Sequence, residues 1–210
     1  MPHESIKDNW KEVWSSSFKR NRMILGTLFG LIVVYILPYF FSYIEKRNGA
    51  TLNDWVLALI PPHNVSVLIF AIIWGMVILI LIRAIYNPSI YITYCWAFVL
   101  VCLARFASII LVPLDPPVGL IPLTDPLTGI FYGNALIIKD LFFSGHTATL
   151  TLVFLCLRKR NDKIIAFCAV IIVAILLLVQ HIHYTIDILA APFITYACYR
   201  LARYLLYKAR

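Results

Sequence analysis

Charged side chains are scarce in this 210-residue chain, in which only 13% of the residues are Asp, Glu, Lys or Arg. Soluble domains usually carry about 25% charged residues, so the composition argues against a water-soluble protein. Hydrophobic residues make up 62% of the chain. They form apolar runs of about 18–25 residues, long enough to cross a bilayer core of about 30 Å. The sequence therefore predicts an all-α integral membrane protein, and its basic net charge calls for no nucleic-acid partner.

Other signals are missing as well. The first twenty residues are polar and amphipathic, so we expect no cleavable signal peptide. No internal repeat or low-complexity segment is visible, so we expect an amphipathic cytoplasmic segment, 1–22, followed by one membrane domain, 23–210. The five cysteines lack metal-ligand spacing and are interpreted as packing residues within apolar runs: Cys95, Cys102, Cys156, Cys168 and Cys198.

Six apolar runs are predicted to cross the membrane as one six-helix bundle. Proline marks their limits, because Pro88 opens the third run, Pro113 closes it and Pro192 is expected to kink the sixth. The fourth run is short, and its helix is expected to start before Ser144. The predicted spans are 23–43, 65–83, 89–112, 144–157, 164–180 and 185–206.

Basic residues are distributed unevenly between the two sides of such a bundle. Fourteen of the eighteen fall in the N-terminal segment, the C-terminal tail and the loops that follow the second and fourth spans. Because Lys and Arg concentrate in cytoplasmic loops, both termini are predicted to be cytoplasmic. The motifs described below would then face outward, toward the periplasm from a bacterial inner membrane or toward the lumen of a eukaryotic endomembrane.

Two segments have the pattern of helices that lie along a membrane surface. In the N-terminal segment, large apolar residues recur every four positions beside lysines, which suits either an interfacial helix or a helix docked on the bundle. These residues are Ile6, Trp10, Trp14 and Phe18. The loop 48–64 is expected to form a second interfacial helix on the outer side, through Leu52, Trp55, Val56, Leu59 and Ile60.

The stretch Ser144-Gly145-His146-Thr147 begins the fourth run. Ser144 is a good helix N-cap, and Gly145 allows a ligand to approach the backbone. Free N–H groups at a helix N-terminus bind phosphate, and a histidine on the first turn can exchange a proton near neutral pH. The stretch predicts a phosphate site with His146 as its acid–base group, and a histidine packed at the membrane interface is the alternative.

A second motif, His183-Tyr184-Thr185-Ile186-Asp187, precedes the sixth run. On a helix, His183 and Asp187 would share one face, with the carboxylate one turn deeper. Such a carboxylate can orient the imidazole and raise the nucleophilicity of its other nitrogen. An acid in a membrane span is costly and points to function, although a structural ion pair is the alternative. His181 is expected to point elsewhere.

A metal site is the competing chemical interpretation. His146, His183 and Asp187 would be three ligands, and His181 a fourth. The chain contains no HExxH pattern and no acidic repeat of the kind found in magnesium-dependent alcohol phosphotransferases. We therefore predict chemistry that uses no metal, nucleotide or other cofactor.

These motifs closely resemble those of the sphingomyelin synthase family, a branch of the type-2 phosphatidic acid phosphatase superfamily. Residues 140–150 resemble the Ser-Gly-His-Thr motif of the family, and 183–187 resemble its second motif. Residues 105–117 are similar to its Arg-containing span with a proline-rich end, and 60–63 resemble a further motif. The resemblance implies that His146, His183 and Asp187 form a catalytic triad.

The chain departs from the phosphatase branch of that superfamily. No Lys…Arg-Pro motif precedes the first histidine, and Leu176-Leu177 stand where the phosphatases carry Ser-Arg. The missing cations favour the synthase branch and leave Arg105 as the candidate that neutralises the phosphate. A structural or snorkelling arginine is the alternative for this residue.

The resemblance implies a two-step transfer of a phospho-head group, of the phosphocholine or phosphoethanolamine type. The donor would be a glycerophospholipid, and the acceptor a lipid alcohol such as ceramide or diacylglycerol. His183 would form a phosphohistidine, with His146 as acid and then base. A lipid phosphatase or phospholipase-C-like hydrolase with the same triad is the alternative. A transporter is disfavoured, because the ionisable groups collect at one interface rather than at the midplane.

Five residues are predicted to bind the substrate: Arg105, Asp140, Ser144, Gly145 and Tyr184. Asp140 would select a cationic head group, or else it is a solvated loop carboxylate beside Lys139. Aromatic residues near it offer a cation-binding face or interfacial anchors. These are Phe131, Tyr132, Phe142 and Phe143.

Overall fold

The computed structural model describes residues 6–123 and 137–208, and within these ranges the chain forms eight helices. The described residues contain no strand beyond an isolated bridge between Ala50 and Leu114. The all-α prediction is therefore confirmed for this part of the chain. The helices are α1 (Ile6–Ser15), α2 (Ser17–Ile44), α3 (Trp55–Ala58), α4 (Ser66–Tyr86), α5 (Pro88–Leu111), α6 (Gly145–Cys156), α7 (Arg160–Val179) and α8 (Thr185–Tyr207).

Four of these helices, α2, α4, α5 and α7, are long and apolar enough to cross a membrane, which makes the chain an integral membrane protein. They coincide with four predicted spans to within a few residues, except that α2 begins at Ser17, inside the segment 1–22. The two remaining predicted spans are different. Helix α6 has 12 residues, a length of about 18 Å, and α8 is longer but carries Asp187, Arg200 and Arg203.

The expectation that the fourth helix starts before Ser144 is wrong. Residues 137–144 are not helical, and the Ser144 hydroxyl accepts a hydrogen bond from the Thr147 N–H at 3.4 Å, which caps α6 at this point. The preceding segment is held instead by Glu45, whose carboxylate accepts bonds from the N–H groups of Ile138 and Lys139 at 2.8 and 2.7 Å. Most of α6 is buried, so neighbouring helices rather than lipid surround it.

The core lies where α5, α6, α7 and α8 pack together. Helix α5 contacts α2, α8 and α6, and α6 contacts both α7 and α8. One large cluster joins Ala97 of α5 to Leu152 of α6 and Ala202 of α8. Pro192 lies inside α8, which continues as one helix from Thr185 to Tyr207. Helices α6 and α8 begin at the same end of the bundle, because the Ser144 N–H before α6 donates to the Asp187 carbonyl in the first turn of α8.

Helix α1 is docked on the bundle, which is one of the two arrangements expected for the N-terminal segment. The Trp10 indole donates to the Ile85 carbonyl at 2.8 Å, and Val13 packs with Met23 of α2 and Leu206 of α8. Ser16 then caps α2, so the predicted four-residue repeat is divided between two helices.

The loop 48–64 contains only one turn of helix, α3, where a longer interfacial helix was expected. The Asp54 carboxylate caps this turn by accepting bonds from the N–H groups of Val56 and Leu57 at 3.0 and 3.3 Å. Pro61 and Pro62 follow soon after and prevent the helix from continuing. The loop is therefore mostly extended, and Asp54 ties it to the bundle as described below.

Candidate active site

The two histidine motifs meet at one end of the bundle, although 37 positions separate His146 from His183. The Ser144 backbone N–H donates to the Asp187 carbonyl at 3.1 Å, which joins the start of α6 directly to the start of α8. The rings of His146 and His183 lie with their centroids 6.1 Å apart at an interplanar angle of 64°. A single reacting group can therefore lie within reach of both rings.

His183 and Asp187 come together through a capping turn rather than along one face of a helix, so that detail of the prediction is wrong. Helix α8 begins at Thr185, and Tyr184 is its N-cap. The Tyr184 N–H donates to Asp187 Oδ2 at 3.0 Å. This turn leaves His183 Nδ1 at 3.6 Å from the same oxygen. The two side chains are almost fully buried, and the distance between these two atoms is slightly longer than that of a hydrogen bond.

Several polar atoms at this point are buried without a hydrogen-bond partner among the described residues. They are His146 Nδ1, His183 Nδ1 and Asp187 Oδ1. Buried polar atoms in folded proteins are nearly always hydrogen-bonded. Catalytic sites are a recurring exception, because their hydrogen bonds often tighten only when substrate is bound. The unpaired atoms therefore distinguish this cluster from a fully hydrogen-bonded structural ion pair.

Arg105 lies beside the first turn of α6 and is buried. Its guanidinium donates to the Phe143 carbonyl and to Asp140 Oδ1. It also fills the space next to Gly145, where an added Cβ would lie 2.8 Å from the Arg105 Cζ. Arg105, the cation predicted to neutralise the phosphate, therefore lies at the N-terminus of α6. The group that closely approaches Gly145, and so requires glycine there, is the Arg105 guanidinium rather than a ligand.

Asp140 is paired with Arg105, so it is neither a solvated loop carboxylate nor a partner of Lys139. Lys139 instead forms an ion pair with Asp115 at 2.8 Å. This contact holds the pKa of the Asp115 carboxyl below its usual value. In the structure, Asp140 therefore meets a protein cation at the position where a cationic head group was expected.

Of the four aromatic residues near Asp140, the structure describes Phe142 and Phe143, and these two belong to different clusters. Phe143 is fully buried and packs with Val101, Ala148 and Ala191. Its ring centroid lies 5.6 Å from the Arg105 Cζ, so its cation contact is within the protein. Phe142 is partly buried in another cluster, and Phe131 and Tyr132 lie outside the described residues.

Tyr184 holds the loops at the histidine end to the bundle. Its hydroxyl donates to the Asp115 carbonyl at 2.9 Å and accepts a bond from the Leu52 N–H at 3.2 Å. Its ring is buried with Leu57 and Leu114. Tyr184 was predicted to bind the substrate, but its hydroxyl is hydrogen-bonded to the protein backbone instead.

His181 also contacts backbone rather than the other two histidines. Its two ring nitrogens lie 2.9 Å from the Val118 carbonyl and 2.8 Å from the Ile60 carbonyl. Both nitrogens are engaged in linking two loops. This arrangement argues against His181 as a fourth metal ligand and agrees with its predicted separation from the reaction site.

Asp54 is a supporting residue that the sequence analysis missed. Its Oδ2 accepts a bond from the Thr185 N–H at 2.6 Å, and its Oδ1 accepts one from the Thr185 hydroxyl at 3.0 Å. Burial raises the pKa of Asp54, but the hydrogen bonds from Thr185, Leu57 and Val56 together bring the pKa below its ordinary value. An Asp before Trp55-Val56-Leu57 is a local N-cap signal, whereas its contact with α8 has no local signal.

Comparison with known proteins places these motifs in a family. Residues 139–204, which include His146, His183 and Asp187, match the family described as PAP2 superfamily C-terminal. Over 69 residues the chain is 36% identical to phosphatidylcholine:ceramide cholinephosphotransferase 2 from Homo sapiens and 35% identical to the protein of the same name from Macaca fascicularis. The match covers 30% of this chain and 19% of each relative, about a fifth of their length. Residues 139–204 are therefore similar to the PAP2 superfamily C-terminal family, and part of the chain is similar to these two cholinephosphotransferases.

Proposed function

We propose that this protein is a lipid head-group phosphotransferase that acts through a phosphohistidine. The donor is a glycerophospholipid with a phosphocholine or phosphoethanolamine head group, and the acceptor is ceramide, diacylglycerol or a related lipid alcohol. One observation carries the proposal: the buried His183–Asp187 pair meets His146 at the N-terminus of a helix, beside a buried arginine. This combination provides a nucleophile, an acid–base group and an anion site in one place.

In the first step, His183 Nε2 attacks phosphorus while Asp187, facing Nδ1, stabilises the positive charge that develops on the imidazole. The bond from phosphorus to the diacylglycerol oxygen breaks, and His146 donates a proton to that oxygen. In the second step, His146 removes a proton from the acceptor hydroxyl, which attacks phosphorus as the P–N bond breaks. His183 is regenerated, and the head group has moved to the acceptor.

The phosphate is held by the start of α6 and by Arg105. The first turn of a helix presents free N–H groups that bind phosphate oxygens. Arg105 uses two of its bonds on Phe143 and Asp140, and an arginine has five N–H donors in all. Donors therefore remain for a phosphate oxygen, and Asp140 fixes the direction in which they point.

The depth of the site suits a lipid substrate. Helix α5 continues for six residues beyond Arg105, a rise of about 9 Å. The reacting groups therefore lie below the end of α5 rather than on the surface of the bundle. Burial of His183 limits the access of water, which favours transfer to a lipid alcohol over hydrolysis.

We further propose that α6 and α8 complete a six-helix bundle with both termini in the cytoplasm. The basic residues of the N-terminal segment, the α6–α7 loop and the C-terminal tail lie opposite the histidines, as the preference of Lys and Arg for cytoplasmic loops predicts. The histidines then face the periplasm or the lumen and act on lipids of the outer leaflet.

The test is transfer by the purified full-length protein in vesicles of head-group-labelled phosphatidylcholine, with and without ceramide or diacylglycerol. We expect labelled product that depends on the acceptor. His183→Ala should abolish it, and Asp187→Asn should lower the rate about 100-fold or more. His63→Ala is the matched control, because His63 is an exposed histidine of an outer loop, and it should keep full activity.

Two results would contradict the proposal. A near wild-type rate for His183→Ala would exclude the phosphohistidine. Release of labelled head group at the same rate with and without an acceptor would replace the transferase by a hydrolase with the same residues.

A further inference from the structure

A basic pocket of about 450 Å³ lies at the end of the bundle opposite the histidines. It is formed by the start of α5, the α6–α7 connection and the last turns of α8. Three cations line it, Arg158, Lys163 and Arg203, together with the hydroxyl-bearing residues Ser89, Thr93 and Tyr207. Cys156 in the pocket wall lies ten positions after His146 along α6, a rise of about 15 Å. The pocket is therefore distinct from the proposed reaction site.

The positive charge of this pocket is not compensated by its own walls. No Asp or Glu is among its lining residues. The neighbouring acid, Asp162, is engaged by Arg83, with the Nε–Oδ2 distance at 2.6 Å and the Nη2–Oδ1 distance at 3.0 Å. That carboxylate is therefore directed to α4 and does not neutralise Lys163. Three like charges around one concavity favour an anion between them.

Hydroxyl groups complete the arrangement. Thr93 and Tyr207 share a hydrogen bond of 2.9 Å between their hydroxyls, which fixes them at the pocket wall. Arg203 lies over the Tyr199 ring, with its Cζ 5.8 Å from the centroid. Arginine, lysine and hydroxyl groups together match the oxygens of a phosphate. Exposed apolar side chains lie next to these cations on the same helices, such as Ile164 beside Lys163 and Leu201 before Arg203.

We propose that this pocket binds the phosphate head group of an anionic phospholipid from the leaflet at this end of the bundle. Basic pockets between membrane helices are suited to anionic head groups, because the phosphate meets fixed cations at the surface while the acyl chains stay in the bilayer. A soluble phosphate compound would have the same chemistry at the cations but would gain nothing from the apolar helix surfaces. The lipid is therefore the occupant that fits both parts of the site.

The experiment is native mass spectrometry of the full-length protein in detergent micelles. Dioleoyl phosphatidic acid, dioleoyl phosphatidylcholine and glycerol 3-phosphate are compared as probes. We expect phosphatidic acid to bind at least tenfold more tightly than either of the others. The triple variant R158Q/K163Q/R203Q should lose this binding by about tenfold or more, because each cation contributes to the attraction.

The matched control is K159Q/R160Q/R200Q. It also removes one lysine and two arginines, from the α6–α7 connection, the start of α7 and the end of α8. None of these three residues lines the pocket. We expect this variant to bind phosphatidic acid as the wild type does, and both variants to keep the wild-type thermal unfolding temperature. Equal loss of binding in the two variants would contradict the proposed binding site, because it would show that the overall charge of this end of the bundle attracts the lipid. Equal affinity for glycerol 3-phosphate and phosphatidic acid would overturn the lipid as its ligand.

Discussion

Gly145 is the residue at which sequence and structure give different reasons for the same amino acid. A glycine after an N-cap serine suggests a backbone that a ligand approaches. In the structure, the Arg105 guanidinium occupies that space, with Cζ, Nη2 and Nη1 at 2.8, 3.0 and 3.1 Å from a Cβ built on Gly145. The guanidinium is itself held by the Phe143 carbonyl and Asp140. A larger side chain at 145 must therefore move the arginine.

We predict that Gly145→Ala lowers the rate of head-group transfer about tenfold, because it displaces the guanidinium by a few tenths of an ångström or more from the phosphate. The measurement is initial rate against phospholipid concentration. Gly75→Ala in α4 is the control, because an added Cβ at 75 meets nothing within 4 Å. That change should leave activity intact, since alanine in a helix interior is tolerated better than glycine. Equal rates for the two variants would contradict the prediction that Gly145 is needed to keep the Arg105 guanidinium in place.

At the scale of elements, the start of α8 is held by contacts from three parts of the chain. Asp187 caps the Tyr184 N–H within the helix itself. Ser144 of the α6 cap donates to the Asp187 carbonyl, and Asp54 of the α3 turn accepts from Thr185. The helix terminus that carries Asp187 is thus fixed both to α6 and to the loop that contains α3.

We predict that Asp54→Asn destabilises the protein in a pH-dependent manner. The pKa of Asp54 in the folded protein is below its ordinary value, so its ionised form stabilises the fold above about pH 4, the unfolded pKa. This contribution is lost as the pH falls through the lower folded pKa. The measurement is the thermal unfolding temperature of both proteins in detergent between pH 7 and pH 2.

The difference between wild type and Asp54→Asn should be constant at neutral pH and should shrink at the acid end of this range. Asp8→Asn serves as the control, because Asp8 is an exposed acid of α1 whose contact with Lys11 is 4.0 Å long. It should show no such trend. A difference that stays constant down to pH 2 would contradict the prediction, because it would mean that the charge of Asp54 does not contribute to the stability of the fold.

The sequence predicts the positions of some helices more accurately than those of others. Apolar runs located α2, α4, α5 and α7, because each of these helices meets lipid along much of its length. The start of α6 was misplaced, since it depends on the cap by Ser144 and on Glu45, which holds the preceding segment from far along the chain. The turn at His183 was likewise read as helix, because a four-residue spacing suits both a helix and a capping turn.

For the whole molecule, the central prediction is that the two ends of the bundle lie on opposite sides of the membrane. Val118 is exposed in the loop at the histidine end, near His181, and Lys159 is exposed in the α6–α7 connection. In a variant whose five native cysteines are replaced, single cysteines at these two positions should react differently. A membrane-impermeant maleimide added to right-side-out vesicles should label Val118→Cys and leave Lys159→Cys unlabelled until the vesicles are opened.

Labelling of both positions in intact vesicles, or of Lys159→Cys alone, would contradict the proposed orientation. Permeabilised vesicles provide the control that each cysteine is reactive when it is accessible. Because the histidines lie at the same end as Val118, this result would also show which leaflet supplies their lipid substrate.

The sequence by itself determined that this is a helical membrane protein, where most of its spans lie and which two motifs are the candidates for its chemistry. These properties follow from composition, from the length of apolar runs and from residues adjacent in the chain. Only the tertiary structure decided that Ser144 bonds to Asp187, that Arg105 pairs with Asp140 and that Asp54 holds Thr185. Each contact joins residues far apart in sequence, and its formation depends on how the helices pack rather than on any local pattern.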